Sequence, residues 1–542
     1  MKSQTVARNT ILVFVANIIS MGLGFMVSVL VAAHFSSGYE LDAFFIALPI
    51  PIIIGYFVLA VSLVGVVPFY QRIQKDSDTS AANRAVAPLF WCVALISGVI
   101  AVSIWIYSSS FAYALAPGFN SDRLESLSLF LRWSSLSIPF IASISFLQSI
   151  QNANHLFLRA AFSRPLMGAF ALGALTLVIS NNNLVAYFQG LALGSALALA
   201  WQLVEVRAMG VFPFSFTGLG DSWKSIRKSV GGMATARGMG HSSEILLQVI
   251  ASLGIAGTVA IYAFAFRLAS IPLMLAVSLS LVLFPLQAQA GVARDKIRLA
   301  EIMWKGVRAL SLLGALFGII FYVWADQLVI FLYEHGDFSP EMSASVSDTL
   351  KIFAPGLLFV AANNAIGNTF WVIGKIKERV FLEFVSIVLL LVSAWMLAAD
   401  FGARGIALAY LAHFVFLFFA GLWRLKKDGL SPMRELLSIG KLAAVAVFLA
   451  LAAQYFTPGL GEFREMTRFL QLAVIAGGAL GILVLFVLGL LVIRDRALSE
   501  IVSQARKVLF PNSLREISSG VKENFKDFES SSERESVDSC GQ

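Results

Sequence analysis

The chain has 542 residues, of which 58% are hydrophobic and 13% are charged, and its mean hydropathy is +0.81. Soluble domains carry about 25% charged residues, so this composition excludes a soluble protein and predicts an all-α integral membrane protein. The formal net charge of +8 does not indicate a nucleic-acid partner. The basic residues lie in short segments between apolar runs, where they set membrane topology.

Apolar runs of membrane-spanning length occur throughout the chain. They cover residues 9–33, 42–70, 86–108, 131–152, 163–180, 184–206, 241–255, 257–287, 309–332, 346–372, 380–399, 403–423, 440–457 and 469–493. The run 241–255 is short, and it is included because the alternation of charged loops requires it. We therefore predict about 14 transmembrane helices.

The positive charges are distributed unevenly between the two sets of loops. With the N-terminus in the cytoplasm, the cytoplasmic segments carry 25 Lys and Arg residues and the opposite loops carry six. Lys2 and Arg8 precede the first run, as in a signal peptide, but that run has no clear cleavage site and is kept as a span. The bias predicts a multi-pass membrane protein with both termini in the cytoplasm.

An internal repeat with an offset of 216 positions divides the chain. The sequence LAVSL occurs at Leu59–Leu63 and again at Leu275–Leu279, and the same offset pairs Pro139 with Pro355. It also pairs Asn152 with Asn368. These matches predict two pseudo-symmetric lobes of six helices each, related by an axis along the membrane normal, plus two C-terminal helices.

The repeat gives a domain organisation. Residues 1–210 form an N-terminal lobe with spans one to six, and residues 236–426 form a C-terminal lobe with spans seven to twelve. A basic, amphipathic linker on the cytoplasmic lipid surface covers 211–235. Residues 427–493 hold spans thirteen and fourteen, and the polar tail 494–542 is predicted to be disordered.

Arg267 is the one basic residue deep inside a spanning run, about 15 Å from the start of span eight at Gly257. An unpaired cation at the midplane costs at least ~2.5 kcal/mol, so Arg267 should face a cavity or a partner. A guanidinium stays charged and binds phosphate oxygens in a bidentate manner, which favours an anion-binding role. The alternative is a structural arginine that binds helix-end carbonyls, Glu244 or Glu383.

Other polar residues in the spans are further candidates, each with a structural alternative. Asp42 opens span two, where it is either a functional carboxylate or a helix cap. The amides of Asn152 and Asn368 either bind sugar hydroxyls or join helices.

Three more residues could couple transport to a proton or an ion. They are Glu244 in span seven, Glu383 in span eleven and His413 in span twelve.

The sequence offers no metal site, cofactor motif or catalytic constellation. Cys92 lies in an apolar run and Cys540 in the tail, so neither predicts a disulfide, and the five histidines form no ligand-spaced cluster. We therefore expect a protein that is not an enzyme and that has no cofactor.

Four stretches, taken in order and spacing, resemble the MurJ (MviN-type) lipid flippases of the multidrug/oligosaccharidyl-lipid/polysaccharide exporter superfamily. They are LDAFFIALPIP at Leu41–Pro51, LAPGF at Leu115–Phe119, Arg267 to Pro272, and LYEHGDFS at Leu332–Ser339. The resemblance covers most of residues 8–425. It implies a V-shaped pair of lobes around a cavity in which cationic side chains hold the pyrophosphate of a polyprenyl-linked saccharide.

The resemblance also implies roles for single residues. Arg267 matches the cavity arginine of the second lobe, and Asp42 matches the aspartate of span two. Met21, Val27 and Gly55 stand where lipid II flippases have arginines. Another lipid-linked saccharide, such as an exopolysaccharide or O-antigen unit, is therefore expected to fit better than the peptidoglycan precursor lipid II. Arg237 and His241, at the cytoplasmic end of span seven, are candidates for a supplementary contact to the pyrophosphate.

Two other functions remain open at this point. A drug/cation antiporter of the same superfamily would need acidic cavity residues. A membrane scaffold of a cell-envelope assembly complex would use the charged tail for docking. The expected partners are the lipid-linked saccharide and membrane lipids, together with cell-envelope glycosyltransferases or polymerases, and the expected oligomeric state is a monomer.

Overall fold

The computed structural model describes residues 3–35, 40–154, 156, 161–177, 183–207, 245–430 and 433–492. Within these ranges all regular secondary structure is helical. The predicted linker at 211–235 and the tail at 494–542 lie outside the described residues.

The helices up to residue 207 alternate between long segments and short, bent ones. They are α1 (Ser3–Phe35), α2 (Glu40–Ala47), α3 (Ile50–Val61), α4 (Val67–Asp76), α5 (Thr79–Ile106), α6 (Ser108–Leu115), α7 (Ser121–Ser135), α8 (Ile138–Ala153), α9 (Ser163–Leu177) and α10 (Val185–Arg207).

The helices after the linker begin with a short segment, α11, at 245–252. The others are α12 (Thr258–Val292), α13 (Lys296–Val323), α14 (Ala325–Leu332), α15 (Pro340–Phe353), α16 (Gly356–Val372), α17 (Ile376–Phe401), α18 (Ala403–Lys426), α19 (Met433–Ala453), α20 (Leu460–Glu465) and α21 (Arg468–Val492).

The length and apolar character of the described helices make this a multi-pass membrane protein. Ten of them can cross a membrane, or up to 12 spans exist if each of two bent helix pairs counts as one. Helices α9 and α11 lie where spans five and seven are predicted, but their described parts have fewer than 18 residues. The number fourteen therefore stays a prediction.

The two bent pairs occupy corresponding places in the predicted lobes. Helices α7 and α8 meet at 43°, and α15 and α16 meet at 44°. Pro139 lies in the first turn of α8 and Pro355 is the N-cap of α16. Proline suits the start of a helix, because its missing N–H is one that has no intrahelical acceptor there. Both bends thus contain a proline of the predicted repeat, although the domain boundaries remain a prediction.

The two copies of LAVSL differ in conformation. In the first copy, a π-helical segment at Ser62–Val66 precedes Pro68 and joins α3 to α4. Proline lacks the N–H that would bond one turn back, and a π segment is one way in which a helix accommodates that loss. The second copy lies inside α12, which continues through Pro272 and Pro285.

Helices α20 and α21 are held against the rest of the chain by arginines. The guanidinium of Arg464 donates to both carboxylate oxygens of Glu334, at 2.6 and 3.1 Å, and Arg468 donates to the Glu334 carbonyl. Burial raises the pKa of Glu334, but the hydrogen bond from Arg464 and the charges of Arg464 and Arg468 outweigh it and lower the pKa below the ordinary 4.5. Helix α20 and the start of span fourteen are therefore docked to the loop after α14.

Candidate functional site between the lobes

Arg267 lies in α12 and reaches across to α1. Its Nε donates to the hydroxyl of Ser28 at 3.2 Å, and its Nη2 donates to the carbonyl of Gly24 at 2.7 Å. Neither partner carries charge, and no described carboxylate lies within ion-pair distance of the guanidinium. The half-buried cation thus joins the two predicted lobes and keeps its net positive charge.

Gly24 is what permits this approach. A Cβ at that position would lie 3.1 Å from the Nη2 atom of Arg267, closer than most real contacts. The partners Gly24 and Ser28 are one turn apart on one face of α1, so both reach the same guanidinium. Sequence reasoning missed them, because nothing local marks a glycine and a serine as the partners of a residue 239 or more positions away.

Asp42 is buried and caps α12 rather than facing open space. Its carboxylate accepts from the backbone N–H of Gly257 at 2.8 Å and from that of Ala260 at 2.9 Å. Arg123 lies 3.7 Å from the same carboxylate. Since the free N–H groups and the dipole at a helix start attract a carboxylate, Asp42 holds α2 of one lobe to α12 of the other.

A third contact between the lobes involves the loop 333–339. The backbone N–H of Asp337 donates to the Ala33 carbonyl at the end of α1, at 2.9 Å. Gly336 lies so close to that carbonyl that a Cβ would overlap it, and its φ of +56° also favours glycine. We call the contacts made by Ala33, Asp42, Asp337 and their partners the outer closure, because the charge bias predicts that this face is the outer one.

Aromatic rings fill the space beside the outer closure. Phe264 of α12 packs on Phe45 of α2, with ring centroids 5.0 Å apart, and on Tyr333, at 4.9 Å. Phe25 of α1 lies 6.1 Å from Tyr333. Such edge-on and tilted aromatic pairs stabilise the contact beyond the apolar area that they bury. This face of the molecule is therefore sealed by packing as well as by hydrogen bonds.

The amides proposed to bind saccharide differ in their surroundings. Asn368 donates to the hydroxyl of Ser280 at 2.9 Å and to its carbonyl at 3.3 Å, which joins α16 to α12. Asn152 is half-buried at the end of α8. Its neighbour Asn154, which donates to Tyr70 at 3.0 Å, joins α8 to α4.

The two described coupling candidates, Glu383 and His413, contact other residues of the second lobe. Glu383 accepts from Arg379 at 2.9 Å, one turn earlier on α17. The Nδ1 atom of His413 lies 2.6 Å from the hydroxyl oxygen of Ser386, which joins α18 to α17. The Arg-x-x-x-Glu spacing of 379 and 383 could have been found from the sequence. Arg237, His241 and Glu244 lie outside the described residues.

The three positions at which the resemblance implies arginines have different environments. Met21 is half-buried and Val27 is buried. Gly55 is pressed against α8, where a Cβ would lie 2.6 Å from the Cγ2 atom of Ile141 and 3.0 Å from the hydroxyl of Ser145. A side chain at 55 would therefore force α3 away from α8.

The described residues offer no candidate metal centre. No group of three or more His, Cys, Asp or Glu side chains within these ranges could hold an ion. Cys92 is free and half-buried, and Cys540 lies beyond the described chain.

The fold belongs to a class of membrane transporters. A solved structure described as lipid II flippase MurJ in an inward closed conformation superposes with a TM-score of 0.72 at 19% identity, and the match covers 89% of this chain and 99% of that one. An inward-facing multidrug resistance MATE family transporter of the MOP superfamily matches with a TM-score of 0.65 at 14% identity, over 76% of this chain and 94% of that one. At these identities the likeness establishes the fold alone.

The sequence comparisons identify the family. The model of the lipid II flippase MurJ family matches residues 31–470, and the chain belongs to that family. A probable lipid II flippase MurJ of Rickettsia prowazekii is 24% identical over 332 residues, which are 60% of this chain and 64% of that protein. A protein of the same description from Buchnera aphidicola subsp. Schizaphis graminum is 22% identical over 500 residues, which are 87% of this chain and 95% of that one.

Proposed function

We propose that this protein is a flippase that moves a polyprenyl-pyrophosphate-linked saccharide across the bacterial cytoplasmic membrane by alternating access. Membership of the lipid II flippase MurJ family supports this activity. The relatives' names favour a peptidoglycan precursor as the cargo. An exopolysaccharide or O-antigen unit is the second candidate, because Met21, Val27 and Gly55 stand where the resemblance implies arginines.

The observation that carries the proposal is the environment of Arg267. Its guanidinium binds a neutral carbonyl and a neutral hydroxyl, so its charge is not cancelled by a described carboxylate. A pyrophosphate can replace these neutral acceptors with charged ones, which form stronger hydrogen bonds with a guanidinium. Since the neutral acceptors belong to α1 of the other lobe, exchanging them for the cargo would loosen one link between the lobes.

The transport cycle that we infer follows from this exchange. The cargo loads from the cytoplasmic side while the outer closure is intact, and its pyrophosphate displaces Gly24 and Ser28 from Arg267. The lobes then rock, the outer closure opens, and the headgroup leaves while the polyprenyl tail stays in lipid. Cargo binding drives the change only by as much as the cargo prefers the outward state.

The alternatives fit the described contacts less well. A cation antiporter needs a free carboxylate near the midplane, whereas Asp42 is occupied by the start of α12 and Glu383 by Arg379. A scaffold that docks through its tail would lose all function when residues 500–542 are deleted, whereas a flippase would keep transport. On the flippase proposal the protein is not an enzyme and works as a monomer with both termini in the cytoplasm, beside cell-envelope glycosyltransferases or polymerases.

The test is a flipping assay in proteoliposomes with polyprenyl-pyrophosphate saccharides of both cargo types. We expect Arg267→Ala to abolish transport, because it removes the cation at the centre of the proposed site, and Arg267→Lys to retain part of it. Lys305→Ala, which removes an exposed cation paired with Glu301, is the matched control and should transport normally. Undiminished flipping by Arg267→Ala in a folded protein would remove this residue from the mechanism.

A further inference from the structure

The N-terminal lobe holds an arginine, Arg164, in the helix that packs on α1 beside Gly24. Arg164 is in the first turn of α9, and its guanidinium carbon lies 5.4 Å from the ring centroid of Tyr56 on α3. Tyr56 is 36% exposed and Arg164 is half-buried, so the pair is not enclosed in packed core. A cation over an aromatic face is held in place while its N–H groups remain able to donate.

Two neighbouring faces of α9 show which way Arg164 points. One face packs on α10, through Ser163, which accepts from Gln202, and through Met167 beside Gly194. The next face carries Arg164 and Gly168, one turn apart. Gly168 contacts Leu23 of α1, where a Cβ would lie 3.4 Å from the Leu23 side chain. Arg164 is therefore turned toward α1 and α3, and away from the α10 side of its helix.

The contact between Gly168 and Leu23 also gives the depth of Arg164 in the membrane relative to Arg267. Leu23 precedes Gly24, whose carbonyl accepts from Arg267. Arg164 lies one turn before Gly168, which is roughly 6 Å along α9. Spans one and five run in the same direction in the predicted topology, so Arg164 lies on the cytoplasmic side of the Arg267 level.

The second lobe has a corresponding arginine that is neutralised. Arg379 lies in the first turn of α17, 215 positions after Arg164, and it donates to Glu383 four residues later. The residue four positions after Arg164 is Gly168, which carries no charge. No described carboxylate lies within ion-pair distance of Arg164. Near-equivalent positions thus hold an ion pair in one lobe and a cation with an uncompensated charge in the other.

The geometry points to Arg164 as a second binding residue for the pyrophosphate of the cargo, engaged on the cytoplasmic side before or together with Arg267. It would supply, from span five, positive charge that Met21, Val27 and Gly55 do not provide. This inference rests on the proposed function, and it assigns the contact to a diphosphate attached to a polyprenyl chain.

The test measures binding of farnesyl pyrophosphate, farnesyl monophosphate and farnesol to the full-length protein in lipid nanodiscs. We expect wild type to prefer the pyrophosphate, and Arg164→Gln to weaken its binding about tenfold or more with little change for farnesol, since hydrogen bonds between charged groups are the strong ones. Arg164→Lys should recover part of the preference. Arg298→Gln removes an exposed arginine in the first turn of α13 and should bind as wild type does.

Further arms separate binding from a structural role. Tyr56→Leu removes the ring and leaves the charge, so it should keep most of the pyrophosphate preference. The inference is wrong if Tyr56→Leu weakens farnesyl pyrophosphate binding as much as Arg164→Gln does. It is also wrong if Arg164→Gln binds farnesyl pyrophosphate as tightly as wild type. Competition by inorganic pyrophosphate at equal concentration would assign the site to a free anion and would also overturn it. A wild type that does not distinguish farnesyl pyrophosphate from farnesol would instead contradict the proposed function.

Discussion

At the scale of single residues, buried charged groups act as joints between parts of the chain that are distant in sequence. Asp42 is the clearest case, because its two carboxylate oxygens accept from two backbone N–H groups of α12, 215 and 218 positions away. The resemblance marked Asp42 as a site residue, and the residues alone left a cap as the alternative. The geometry is that of a cap, supplied by the opposite lobe.

We predict that Asp42→Asn destabilises the outer closure. The amide retains one acceptor but presents a donor to the other N–H, so the loss should be about 1–2 kcal/mol, the usual value for a removed cap. Thermal unfolding in detergent measures it. Asp348→Asn removes an exposed partner of Arg404 and should change stability by no more than about 0.5 kcal/mol. Equal stability of the two variants would mean that the cap does not hold the lobes.

At the scale of helices, close packing decides which positions can carry functional side chains. Helices α3 and α8 approach each other at Gly55, so the place at which the resemblance implies an arginine is occupied by Ile141 and Ser145. Tyr56, the next residue, points elsewhere and meets Arg164. A shift of one position along a helix turns the side chain by about 100°, enough to move it from a helix interface to open space.

We predict that Gly55→Ala destabilises the protein by about 1–3 kcal/mol, because the added methyl overlaps the Ile141 side chain. Gly98→Ala on α5 is the matched control, since a Cβ there meets nothing within 4 Å. It should be neutral or stabilising by up to about 1 kcal/mol, the propensity difference between glycine and alanine in a helix. A Gly55→Ala protein that unfolds at the wild-type temperature would contradict the close approach of α3 and α8.

At the scale of the whole molecule, the outer closure combines two links between the lobes, through Ala33 and through Asp42, and a layer of aromatic rings lies beside it. The loop 333–339 takes part in it on one side through Ala33 and is held on the other by Arg464 and Arg468. Helix α20 and the start of span fourteen thereby contact the same loop that closes the outer face. Opening this face requires the Ala33 contact to break, while the contacts within the C-terminal part can stay.

We predict that a disulfide between Ala33→Cys and Asp337→Cys, in a Cys92→Ser and Cys540→Ser background, stops flipping. The hydrogen bond between Asp337 and Ala33 brings the two backbones to a spacing that a disulfide can bridge. Transport in proteoliposomes should fall in proportion to crosslinking and return on reduction, and each single cysteine variant should transport in both states. Normal transport by fully crosslinked protein would show that the cycle does not need this face to open.

The sequence by itself determined the class of the protein. Hydropathy and charge bias are sums over local segments, so the helical membrane fold was predictable from the sequence. The family motifs could be recognised because each is a contiguous stretch of the chain. Arg267 stood out for the same reason, since a cation within an apolar run is a local anomaly. Tertiary structure alone decided that Arg267 binds Gly24 and Ser28, that Asp42 caps α12 and that Arg164 lies over Tyr56. These partners are brought together only by helix packing, and no local pattern in an apolar chain records which helix faces meet.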